Sequence, residues 1–122
     1  MTLAVRIVER RAKVAVVGLG YVGLPLALRA AEAGFVVTGF DTDQNCVDEL
    51  ANGRSSILDV DGAEIAAQYR SGRFRAVTDP AELSSADVIV ICVPTPLKDE
   101  QPDTSFIEAA AASVAKTLRP PR

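Results

Sequence analysis

Residues 12–23 read Ala12-Lys13-Val14-Ala15-Val16-Val17-Gly18-Leu19-Gly20-Tyr21-Val22-Gly23, and this stretch decides the fold. Its first half is a short β-branched run that stops at a glycine, the pattern of a buried parallel strand. Tyr21 to Ala33 follows, rich in Leu and Ala. Pro25 falls in the first turn of that helix, where its missing N–H does no harm, and Gly34 is a natural stop. A strand that turns through glycines into a helix is therefore the first unit of the chain.

Working outward, Phe35 to Phe40 is a second strand that ends at Asp41. Gln44 to Ala51 makes a short helix closed by Asn52-Gly53, and residues 54–60 form a loop. Asp61 caps a helix to about Arg70, which Gly72 ends. Phe74 to Thr78 is a weaker third strand, and Asp79-Pro80 opens another short helix. Val88 to Val93 is the most apolar strand, followed by a loop over residues 94–103 with three prolines. Thr104 or Ser105 caps a last helix reaching about Leu118. Strands alternating with helices predict α/β architecture: a Rossmann-type parallel sheet with helices on both faces, strand order 3-2-1-4 and right-handed crossovers. Residues 1–11 are an N-terminal extension of uncertain order. Residues 12–122 are a dinucleotide-binding domain, expected to be incomplete at its C-terminal end because no fifth strand follows the last helix.

Composition narrows the function. The chain has 122 residues, the size of one domain, and a net charge of −3. That balance disfavours nucleic acid as a partner, since phosphate backbones select basic patches. Histidine is absent, which excludes a Ser-His-Asp triad, a histidine base and a His-containing zinc site. Cys46 and Cys92 have no metal-ligand spacing and read as reduced thiols. No apolar run approaches the roughly 20 residues of a membrane span, and no signal peptide is evident, so no membrane partner is expected and the cytoplasm is the expected location.

Gly18-Leu19-Gly20-Tyr21-Val22-Gly23 fits G-x-G-x-x-G, and its place between strand and helix makes the match meaningful. Gly18 permits the tight turn. Gly20, without a Cβ, lets a pyrophosphate reach the backbone. Gly23 lets the helix pack closely on the sheet. The N–H groups at the helix start then face the phosphates. Asp41 follows at roughly the twenty-residue interval at which a carboxylate accepts from the adenosine ribose. No Arg or Lys lies between Asp41 and Gly53 to neutralise a 2′-phosphate, so NAD is expected over NADP. Asp41 could instead cap the turn after its strand, a role also open to Asp43.

Three motifs extend the reading. Gly18 to Ala27 resembles the opening motif of the UDP-glucose/GDP-mannose dehydrogenase family. Cys92-Val93-Pro94-Thr95-Pro96-Leu97 resembles that family's signature after the fourth strand. Pro102-Asp103 with Ser105-Phe106-Ile107 resembles the approach to its next helix. The likeness covers roughly residues 13–120. It implies an enzyme that oxidises the C6 alcohol of a nucleotide-activated hexose to a carboxylate, using two NAD in succession and a covalent thiol intermediate. It also implies that Val22 meets the cofactor phosphates through its backbone, that Asp41 binds the adenosine ribose, and that Thr95 touches the cofactor near its phosphates or nicotinamide ribose. The cofactor-binding set is then Gly18, Gly20, Tyr21, Val22, Gly23, Asp41 and Thr95. The wording Val-Pro-Thr-Pro-Leu is most similar to the branch acting on UDP-N-acetylhexosamines.

Two departures stand out. Cys46 occupies a position where the family often has Lys or Arg. The family's catalytic lysine, asparagine and cysteine belong to later segments, so no catalytic residue is expected in this chain and no turnover from it alone. The nucleotide sugar would bind through the missing C-terminal part, and the complete enzyme would be a homo-oligomer. Asp99, Glu100 and Asp103 read as a solvated loop cluster. The alternatives are a stand-alone NAD-sensing module, which a reading frame continuing past Arg122 would exclude, and the β-hydroxyacid dehydrogenases, which lack the Val-Pro-Thr-Pro signature.

Overall fold

A computed structural model describes residues 2–55, 57, 60–94 and 97–117. Its elements are helix α1 (Leu3–Val8), strand β1 (Lys13–Val17), α2 (Gly23–Glu32), β2 (Val36–Phe40), α3 (Gln44–Ala51), α4 (Gly62–Ser71) and β3 (Phe74–Val77). A 3-10 helix (Pro80–Ser85), β4 (Val88–Ile91), β5 (Leu97–Lys98), β6 (Gln101–Pro102) and α5 (Ser105–Thr117) complete the order. Local chemistry accounts for most boundaries. The Asp43 carboxylate accepts from Asn45 and Cys46 N–H to start α3, and that of Asp61 accepts from Ala63 N–H to start α4. Both satisfy backbone donors that a helix start leaves open.

β1 to β4 form one parallel sheet in the order β3-β2-β1-β4. β1 sits between β2 and β4, with Val16 opposite Gly39 on one side and Val90 on the other. Alternate residues of β1 feed two cores, as the pleat requires. Val16 joins Leu24, Leu28, Val37, Leu50, Ile65 and Phe74 on the face covered by α2, α3 and α4. Ala15 and Val17 join Phe40, Leu83 and Val114 on the face covered by the 3-10 helix and α5. The expected strand order and the helices on both faces are therefore present.

Four local expectations need correction. The short helix after Asp79 is a 3-10 helix, held by the Asp79 carboxylate accepting from Ala81 N–H. β4 ends at Ile91 rather than Val93. The segment 94–103 contains a two-stranded antiparallel hairpin, β5 with β6, not a plain loop. Its turn is made by Asp99 and Glu100, both at positive φ (53° and 66°). Finally, residues 3–8 are helical. Thr2 caps α1, and Arg6 forms an ion pair with Asp87 at 2.8 Å. The second Asp87 oxygen accepts from Lys13 N–H at 2.9 Å, so α1 is fastened where β1 and β4 begin.

Ile65 is the one α4 side chain that is fully buried, and it joins α4 to the core under the sheet. Ile65→Ala is expected to cost about 2–5 kcal/mol, from lost transfer energy plus a residual cavity. Urea denaturation should report a lower midpoint at unchanged slope; a loss under about 1 kcal/mol would mean that α4 is not part of the cooperative core.

Candidate functional site

The sheet order reverses between β1 and β4, and the C-terminal strand ends at such a reversal are the place where sheets of this kind bind ligands. The glycine loop 18–23 lies at those strand ends, between β1 and α2. Gly18 has φ +97°, and a Cβ on it would lie 2.7 Å from the carbonyl oxygen of Cys92, just after β4. A Cβ on Gly23 would lie 1.6 Å from the Gly18 carbonyl oxygen. These two glycines are thus demanded by the chain itself, which folds loop, helix start and strand end into contact.

Gly20 differs. Its φ is not positive, and a Cβ there would meet nothing within 4 Å. Neither backbone conformation nor internal packing requires a glycine, so the space is kept open toward the outside of the molecule. Among the described residues, none accepts from the N–H groups of Gly20, Tyr21 or Val22. α2 begins without a side-chain cap. Open donors, a helix start and a backbone stripped of side-chain bulk suit an anion. Tyr21 and Val22 carry their side chains into solvent, 76% and 68% exposed.

Asp41 stands at the end of β2, beside the loop. One carboxylate oxygen accepts from Leu19 N–H at 3.0 Å and the other from Asp43 N–H at 3.0 Å. The capping role anticipated for Asp41 or Asp43 is therefore shared: Asp41 holds the turn and Asp43 caps α3. Each Asp41 oxygen keeps a further lone pair, and the residue is only half-buried. A dinucleotide fits this set, with phosphates at the loop and a ribose at the carboxylate. Thr95 lies outside the described residues.

Cys46 lies in the first turn of α3, near the same carboxylates. Burial, then Asp41, Asp43 and Glu49, push its thiol up to about 11. It is therefore a protonated thiol near neutrality, not a stand-in for a cation. Asp99 and Glu100 are exposed in the hairpin turn. Asp103 accepts from Ser105 N–H, and the Ser105 hydroxyl and N–H hold its carboxyl below the usual range. Among the described residues, no group of three His, Cys, Asp or Glu is placed to hold a metal, and no helix is long and apolar enough to cross a membrane.

Sequence reasoning missed Leu19 and Gly39. Leu19 is 3% exposed, inserted beneath the loop against Gly39 of β2. The available signal was a glycine inside an otherwise apolar strand, which marks a close approach by something else.

The sheet, its switch point, the glycine loop and the strand-end carboxylate define a dinucleotide-binding α/β domain. Residues 12–122 match the UDP-glucose/GDP-mannose dehydrogenase family, NAD binding domain, and the chain belongs to that family. It is 43% identical over 108 residues to an NDP-N-acetyl-D-galactosaminuronic acid dehydrogenase of Ralstonia nicotianae, covering 87% of this chain and 25% of that protein. It is 41% identical over 110 residues to a UDP-N-acetyl-D-mannosamine dehydrogenase of Escherichia coli, covering 88% and 26%. Among solved structures, a UDP-D-ManNAc dehydrogenase from Pyrococcus horikoshii superposes with a TM-score of 0.82 at 31% identity, covering 86% of this chain and 25% of that one. The chain thus spans about a quarter of the length of these relatives.

Three variants probe this geometry. Gly20→Val should abolish NAD binding yet melt with the parent, whereas Gly23→Ala should lose about 3 kcal/mol or more of stability through its clash with Gly18. Calorimetric titration beside thermal melting separates the two; a Gly20→Val variant that binds NAD normally would remove the loop from the site. For Cys46, a raised thiol pKa adds stability that is complete below the unfolded value near 9.0 and is lost as pH rises through about 11. Cys46→Ala should therefore flatten the fall in stability over that alkaline window, and an unchanged pH profile would contradict the assignment.

Proposed function

We propose that this chain is the cofactor half of an NAD-dependent nucleotide-sugar 6-dehydrogenase, whose whole reaction takes the C6 alcohol of a UDP-hexose to the uronate. The observation that carries the reading is Gly20: an open backbone position with no internal reason to be glycine, beside unfilled N–H donors and a strand-end carboxylate. Bound there, NAD supplies the hydride acceptor.

The chain's own groups bind and orient. The N–H groups of Gly20, Tyr21 and Val22 donate to the pyrophosphate, with the start of α2 favouring its charge. Gly18 and Gly23 shape the loop so that these donors converge. Asp41 uses its remaining lone pairs to accept from the adenosine ribose hydroxyls. Its charge repels a 2′-phosphate, which selects NAD over NADP. Thr95, two residues after Val93, contacts the cofactor near its phosphates or nicotinamide ribose. UDP-N-acetylhexosamines are the substrate class favoured by the names of the similar proteins, with UDP-glucose next. This chain covers 25% and 26% of the similar proteins, and on this reading substrate binding and the catalytic residues fall in the part it does not cover, in a cytoplasmic homo-oligomer.

Calorimetry on the chain tests the reading. NAD should bind more tightly than NADP, and Asp41→Ala should weaken NAD about ten- to a hundredfold, the scale of a lost hydrogen bond to a charged group. Equal affinity of the parent for the two cofactors would overturn the role of Asp41.

A further inference from the structure

We infer that Leu19 and Gly39 form a peg and slot that sets the conformation of the cofactor loop, which makes Gly39, inside β2, a positioning residue for NAD. The inference rests on the cofactor site proposed above.

Gly39 is an awkward residue for its place. It lies in β2, paired with Val16 on one side and Ala76 on the other, where a β-branched side chain would favour the strand. A Cβ there would stand 2.8 and 2.9 Å from the two terminal carbons of Leu19, and 3.0 Å from Cε1 of Phe74. The missing side chain leaves a slot, and the Leu19 side chain fills it. Phe74, 2% exposed, forms one wall. Tyr69 of α4 holds that wall edge-on, with ring centroids 5.5 Å apart at 86°, while its hydroxyl accepts from Ala76 N–H at 2.9 Å.

Leu19 is thereby gripped twice by the same strand. Its side chain enters the slot over Gly39, and its N–H donates to Asp41 two residues further on, at 3.0 Å. Together these contacts fix the peptide that leads into Gly20, the position where the backbone is open for a phosphate. The loop's shape is set before any ligand arrives, so binding need not order it. The two atoms that crowd Gly39 most closely are the far ends of a leucine, and the third is a ring carbon of Phe74 at 3.0 Å. A methyl group added there displaces Leu19 rather than the strand.

The test compares Gly39→Ala, Leu19→Ala and the double variant in the 122-residue chain. One readout needs no cofactor: hydrogen exchange of the Leu19 amide. The other is NAD affinity by calorimetry. In Gly39→Ala the Leu19 amide should exchange about tenfold faster and NAD should bind about tenfold more weakly, as its hydrogen bond to a charged group is strained. Leu19→Ala empties the slot and makes room for the new methyl. The double variant should therefore bind NAD no worse than Leu19→Ala alone, because contacting sites are not additive. Unchanged amide protection in Gly39→Ala, or losses that simply add in the double variant, would overturn the peg. Should Gly39→Ala fail to fold, the double variant must regain the fold, and its failure to do so would also overturn it. A parent chain that binds no NAD would instead refute the cofactor reading, while amide exchange and the stability of the double variant would still decide the peg.

Discussion

The hydrogen bond from Leu19 N–H to the Asp41 carboxylate joins residues 22 positions apart, and the site depends on it. It ties the loop that leaves β1 to the end of β2, so two adjacent strands present one surface. The carboxylate also accepts from Asp43 N–H, which leads into α3. A single half-buried side chain thus fixes loop, strand end and the next helix. The proposed selectivity would rest on its charge and the loop rests on its geometry, so deleting it would not separate the two. That is why a perturbation at Gly39, which leaves the carboxylate in place, is the more informative one.

Around that contact the scaffold is stiff where the site needs it. Gly18, Gly23 and the residue after β4 meet with no space for a side chain, which pins the start of α2 against the sheet. Leu24, Ala27, Leu28 and Ala31 then bury one face of α2 over β1 and β2. At the opposite end of the strands, Arg6 and Asp87 close the sheet with α1. The C-terminal end of the strands keeps the open donors and the exposed Tyr21 and Val22. The candidate site is therefore a loop mounted on regular elements.

The strand order, the helices on both faces and the glycine loop were legible because each rests on a local rule: β-branched runs, capping aspartates, and glycines where a turn or contact forbids a Cβ. What escaped the reading has equally local reasons. The β5–β6 hairpin has two-residue strands and turns on Asp99 and Glu100 at positive φ, where Gly or Asn would have given the usual signal. α1 is too short to display a helical period, and its anchor, the Arg6–Asp87 pair, spans most of the sequence. The position of Asp41 at the end of β2 was legible from its spacing, but its bond to Leu19 is a tertiary contact that no spacing reveals. The slot at Gly39 was hidden for the same reason: its occupant comes from another segment.

Mapping backbone amide resonances during an NAD titration tests the central claim most directly, that the dinucleotide is held by the loop 18–23 and Asp41. The largest shifts should fall on Gly18 to Gly23 and on Asp41 to Asp43, with the Leu19 amide still protected in the complex. Shifts concentrated instead around the open hollow lined by Glu49, Gly53, Arg54, Ser55, Val60 and Gly62, with the glycine loop unmoved, would contradict it.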